Sequence, residues 1–162
     1  MQTDRKEALR YLGLGKHEPD PETERLLEEC IREAERAAEF RYLVREYPLS
    51  VEEDGTIDGG CFRVKSANLK KNLSGCDSVL VMAVTVGAEI DRLLARYGKL
   101  SVAKAVVMQA AAAAMVEAYC NELNSGWKKE YLEKGLYLRP RFSPGYGDFP
   151  LSAQKQILDG LE

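Results

Sequence analysis

The apolar positions change period several times along this chain, and each change marks an element. Asp4, with Glu7 three residues on in capping-box spacing, opens a short helix with Leu9 and Leu12 on its inward face, and Gly13 to Gly15 stop it. A polar linker reaches Asp20-Pro21, an N-cap followed by proline at the first helical position, so a longer helix runs to about Phe40. In that helix Leu27, Ile31, Ala34 and Ala38 recur at three- and four-residue steps, which turns one stripe inward and leaves the intervening Glu and Arg residues solvated. From Arg41 to Val64 the period shortens. Tyr42-Leu43-Val44 and Phe62-Arg63-Val64 are β-rich, and Asp54-Gly55 and Gly59-Gly60 are turn signals, so two or three antiparallel strands are expected.

Ser66 caps a short helix that closes near Gly75. The run Ser78 to Val86 is nearly continuous in Val, Leu, Met and Ala, the pattern of a strand buried on both faces in the middle of a sheet. Gly87 turns the chain into a helix through Ile90, Leu93 and Leu94 that ends near Gly98. Ser101 starts the last long helix, which holds no charged residue between Ala105 and Val116. That run is too short to cross a bilayer, so a helix buried on nearly all sides is expected. Glu117 interrupts it. An unpaired buried carboxylate is costly, so Glu117 is paired, faces a ligand or reaches the surface. A charged connector follows Trp127, from Lys128 to Lys134, and Ser152 caps a final helix with Ala153, Ile157, Leu158 and Leu161 on one side. The predicted class is α+β, a single domain with a central, mostly antiparallel sheet, flanking helices and one buried alanine-rich helix.

Composition narrows the function. At 162 residues and 45% hydrophobic, the chain has the length for one domain with a real core. A formal charge of −3 and a pI near 5.4 provide no basic stripe for nucleic acid, and the cluster Lys65, Lys70, Lys71 is too small to change that. Cys30, Cys61, Cys76 and Cys120 are scattered without a C-x-x-C pair and no signal sequence precedes them, so free thiols in a reducing cytoplasm are expected. The single histidine, His17, sits in a linker, and no metal site can be assembled from local spacing.

One stretch has neither helical nor strand periodicity. Residues 138–152 hold three prolines, two glycines, two arginines and three aromatic rings, the mark of an ordered loop, and ordered loops often carry binding sites. Within it Ser143-Pro144-Gly145-Tyr146 fits a type II turn, with proline setting the second position and glycine accepting positive φ at the third. Arg141-x-x-x-Gly145-Tyr146, continuing through Gly147-Asp148-Phe149-Pro150, resembles the S-adenosylmethionine-binding loop of the activation (reactivation) domain of cobalamin-dependent methionine synthase. The resemblance takes in Met115-Val116-Glu117-Ala118-Tyr119 and Val81-Met82-Ala83-Val84-Thr85-Val86-Gly87, and covers roughly the last half of the chain.

The resemblance implies a set of ligand contacts. Arg141 would grip the methionine carboxylate with two parallel hydrogen bonds. Pro144, Gly145, Tyr146 and Gly147 would offer backbone amides and carbonyls, and the Tyr146 ring or a neighbour would face the sulfonium. Glu117, placed in its helix like the family acid, would pair with the amino group. Each has a plainer alternative. Arg141 could pair with Asp148 or a helix C-terminus, Glu117 could bridge to Arg139, Arg141 or a connector lysine, and Tyr146 could bury its ring in a tight turn. The acidic contact that the family places near its N-terminus has no match here, so Asp4, Asp20 and Asp58 stay unassigned.

Two departures stand out. The chain stops at Glu162, where family members continue with further strand-forming sequence, and Ser152 falls where the larger members carry a histidine that approaches the corrinoid. The implied function is an S-adenosylmethionine-binding accessory domain for reductive remethylation of cobalamin held by a partner methionine synthase or corrinoid methyltransferase, with a flavodoxin-like electron donor and a place in methionine biosynthesis. No catalytic residue of its own is required, because the domain holds a methyl donor over a cofactor that does the hard chemistry. The alternative is a non-enzymatic binding or interaction module that keeps the fold without methyl transfer. A self-contained methyltransferase is a poor third, since no strand runs into a G-x-G-x-x-G turn.

Overall fold

The structure, a computed structural model, describes residues 3–15 and 17–162. In chain order its elements are α1 (Arg5–Tyr11), α2 (Pro21–Ala37), β1 (Arg41–Pro48), β2 (Ser50–Val51), β3 (Ile57–Asp58), β4 (Arg63–Val64), α3 (Ala67–Asn72), β5 (Ser78–Thr85), α4 (Ala88–Leu100), α5 (Val102–Glu133) and α6 (Ala153–Leu161). This is an α+β fold, as the sequence predicts. It divides into two compact units, one made of residues up to 41 together with 84–129, the other of residues 42–83 and 130–162.

The first unit is helical. Asp4 caps α1 by accepting from the amides of Lys6 and Glu7, and Asp20 caps α2 by accepting from Glu22 and Thr23 with Pro21 behind it. The Glu7 carboxylate goes to Arg10 at 2.8 Å. Leu27, Cys30 and Ala34 are buried on α2, and Ile31 and Ala38 pack at the margin of the same core. Burial pushes the Cys30 thiol up to about 11, and none of the four cysteines forms a disulfide. The α4 helix runs past Gly98 to Leu100, and its Ile90, Leu93 and Tyr97 face inward.

The α5 helix is longer and less enclosed than its apolar run suggests. Val107, Met108, Ala111, Ala112, Ala114 and Met115 lie in the core, but Val102 is 74% exposed and Val106 55%. By length and composition α5 is the one described helix able to cross a membrane, with a mean hydropathy of 1.3 over its most apolar window. Its buried face supplies the centre of this unit's core, as in a core helix. It also continues through residues 128–133, expected as a connector, because lysine, glutamate and leucine are good helix formers and nothing there breaks the pattern.

The second unit packs short strands, α3, α6 and the loop of residues 138–152. The strands β2, β3 and β4 form an antiparallel three-stranded sheet with Val51 opposite Ile57 and Ile57 opposite Val64. Among the described residues the β5 strand pairs only with β1 in a two-stranded sheet, and of its own residues only Val81 is buried, so it is not the double-faced central strand expected from its apolar run. Ile57, Phe62, Val64, Leu69, Val81, Phe149, Ala153 and Leu161 form the core.

Two expectations for α6 need correction. Ser152 is already helical at φ −59° and ψ −20° and makes no side-chain capping bond. The first amides are satisfied by backbone, Ala153 donating to Pro150 at 3.1 Å and Gln154 to Leu151 at 3.0 Å. Leu158 is 53% exposed, because it lies about 100° around the helix from Ile157 and off the face that Ala153, Ile157 and Leu161 share.

Candidate functional site

The loop of residues 138–152 belongs to the second unit, and its turn is the one its sequence specifies. Gly145 has φ +91°, and the Tyr146 amide donates to the Ser143 carbonyl at 3.1 Å, which makes residues 143–146 a hydrogen-bonded type II turn. The Gly145 amide then donates to Phe149 O at 2.8 Å, and the Phe149 amide donates to Tyr146 O at 3.1 Å. Gly147 also has positive φ, +57°, and a Cβ there would come 3.1 Å from the Asn68 side chain.

What orders the loop is partly apolar and partly polar. Phe149 is buried, with its ring centroid 5.8 Å from that of Phe62 and 6.2 Å from that of Phe142. Beside it the Asp148 carboxylate reaches the start of α3, where it accepts from the Ser66 hydroxyl, from the Ala67 amide at 2.6 Å and from the Asn68 amide at 3.1 Å. These donors, the Ser66 hydroxyl foremost, hold the Asp148 carboxyl below its ordinary value. At the other end of α3 the Asn72 side-chain amide donates to Pro140 O at 3.1 Å, and Arg139 donates to Ser74 O at 2.8 Å. The loop is therefore fastened along α3 from Arg139 to Asp148.

Arg141 and Pro144 are half-buried, and Gly145, Tyr146 and Gly147 are exposed. Tyr146 sets its ring edge-on to Phe142 at 5.3 Å and remains 69% exposed, so it is not the buried tyrosine of the plainer reading. The amides of Gly145 and Tyr146 are spent within the loop, while the Tyr146 ring stands at its surface. Glu117 is half-buried in α5 in the first unit, whereas the loop residues belong to the second. His17 is exposed.

The fastening residues Ser66, Asn68, Asn72, Ser74 and Asp148 have no signal in the sequence that links them to the loop's position. Ser66 is legible as the cap of α3, and it does accept from the Leu69 amide at 3.0 Å, but its pairing with Asp148 spans 82 positions and no local rule reaches that far.

Two grooves lie elsewhere. One of about 530 Å³ in the first unit is lined by Tyr11, Gly98, Val102, Val106 and neighbouring small residues of α5. The other, about 260 Å³ in the second unit, is lined by Leu49, Val51, Lys70, Leu73 and Cys76 among others. Neither is lined by the candidate residues. Among the described residues no cluster of His, Cys, Asp and Glu is placed to hold a metal ion. No family model and no curated protein matches the chain.

Proposed function

We propose that this chain is a cytoplasmic accessory domain that binds S-adenosylmethionine and supports reductive remethylation of a corrinoid carried by a partner methionine synthase or corrinoid methyltransferase. The observation that carries the reading is the loop itself. The residues of the family-like motif form an ordered type II turn, with Arg141 half-buried just before it and the Tyr146 ring exposed at its end. A guanidinium suits a carboxylate, and an exposed ring suits a sulfonium, an attraction of about 1 kcal/mol.

In this reading the methyl donor is positioned rather than activated. Arg141 takes the carboxylate, while Tyr146 and the carbonyls around Gly145 and Gly147 guide the sulfonium and the nucleoside. The corrinoid, brought by the partner, supplies the nucleophile, with an electron from a flavodoxin-like donor. The experiment is a reconstitution with purified chain, an oxidised corrinoid protein, a reductant and S-adenosylmethionine, followed by cobalt absorbance. Methylcobalamin should return only when the chain is present, and its failure to return counts against the proposal.

A second reading is favoured by the amides of Gly145 and Tyr146, which are already bonded within the loop. A turn so closed can serve as a structural element of a binding module without methyl transfer. A thermal-shift titration separates the two, because a ligand at a hundredfold excess over its Kd adds about 2.7 kcal/mol, and no shift favours the module.

A further inference from the structure

The turn fixes the loop's shape, but shape alone does not fix its position. Three groups of contacts do that. The Phe149 ring is buried, Arg139 and Pro140 meet the C-terminal end of α3, and Asp148 meets its N-terminal end. The first two are an apolar plug and single hydrogen bonds. Asp148 is different in kind, because one carboxylate takes three donors at once, the Ser66 hydroxyl and the Ala67 and Asn68 amides. Those amides are the orphan donors that every helix start must satisfy, and an anion is favoured there. The α3 helix has six residues, too few to be stable alone, so the anchoring is mutual. Asp148 lies next to Gly147 and two residues from Tyr146, so its placement sets theirs. Gly147 already stands close to Asn68 in the same turn of α3, where a Cβ would come 3.1 Å from the Asn68 side chain.

We propose that Asp148 is a positioning residue, a latch that seats the loop of residues 141–147 on the N-terminus of α3, so that Arg141 and Tyr146 are presented in a fixed geometry. Its consequence for ligand affinity rests on the S-adenosylmethionine reading above, while the latch itself does not. Unlatching frees the loop end and leaves the type II turn intact, because that turn closes through its own backbone bonds.

The test compares the parent chain with Asp148→Ala and with the milder Asp148→Asn, which keeps one acceptor oxygen. Hydrogen exchange is read at the Ala67, Asn68 and Phe149 amides and at the amide of Ile57 in the three-stranded sheet, with thermal unfolding to confirm that each variant is folded. The latch predicts exchange at least about tenfold faster at the first three positions in Asp148→Ala, a smaller rise in Asp148→Asn and little change at Ile57. Equal acceleration at all four positions, or at none, overturns it. Calorimetric titration with S-adenosylmethionine at a temperature where all three chains are folded then reads the consequence. Affinity should fall about tenfold or more in Asp148→Ala and less in Asp148→Asn. Unchanged affinity despite faster loop exchange overturns the positioning role. If the parent chain itself does not bind, the proposed function fails, and the latch stands or falls on the exchange pattern alone.

Discussion

Each of the two units of this protein has its own kind of internal cohesion. In the first, four helices, α1, α2, α4 and α5, share a broad apolar core, and the main polar tie is Lys104, whose ammonium lies 2.6 Å from Glu29, 3.3 Å from Glu33 and 4.3 Å from the Tyr97 ring centroid. In the second, strands of two residues and short helices depend on directed bonds between segments distant in sequence. Tyr47 donates its hydroxyl to Gly160 O at 2.5 Å, Tyr131 donates to Glu46 at 2.7 Å, the Arg63 amide donates to Gln156 at 2.9 Å, and Asp148 caps α3. Apolar burial spreads stability over many residues, whereas directed bonds concentrate it in a few. A single substitution in the second unit can therefore change the loop's position with little change to the rest, and this is the unit that carries the candidate site.

The largest effect is expected in the first core. Met108 is fully buried on α5, and Met108→Ala should cost about 2–5 kcal/mol in chemical denaturation. A cost below about 1 kcal/mol would mean that this core is not packed around it. Next comes a pair of glycines that lie in helices of the two units. At Gly160 a Cβ would fall 2.2 Å from the Cys61 Cβ, so Gly160→Ala should cost about 1–3 kcal/mol although alanine is the better helix former.

Gly145→Ala places a side chain at φ +91° and should cost about 1–2 kcal/mol, with little effect expected at Met108 or its neighbours. At Gly126 in α5 nothing lies within 4 Å of a Cβ, so Gly126→Ala should stabilise by about 0.5–1 kcal/mol. If both helical glycines respond with the same sign, the contrast between tight and open packing is lost.

The smallest effect is a pH dependence at the latch. The folded pKa of Asp148 is depressed, so its contribution is present above the ordinary aspartate value and is lost as pH falls through the lower folded value. The Ala67 and Asn68 amide resonances should report that titration. A midpoint at or above the ordinary aspartate value would mean that the carboxylate does not take those donors in solution.

Much of this was legible in the sequence wherever a local rule applied. Asp20-Pro21 begins α2, Ser66 caps α3 and Ser143-Pro144-Gly145-Tyr146 turns as its residues require. Long-range pairing was less legible. The apolar run at Ser78 to Val86 specifies a strand but not that it pairs with β1 in a sheet of two. The polarity of residues 128–133 suggests a connector, but their helix propensity carries α5 through them, and the pair Lys134 and Glu130 at 2.7 Å completes that last turn. For the candidate site, the turn and its residues could be read directly, but the role of Asp148 could not, since its partners lie some 80 positions away.

Isothermal titration calorimetry of S-adenosylmethionine into the parent chain and into Arg141→Ala tests the central claim most directly. The account predicts saturable binding to one site on the parent chain, weakened about ten- to a hundredfold, or about 1.5–3 kcal/mol, in Arg141→Ala. Absence of binding to the parent chain, or equal affinity in the two chains, would contradict it.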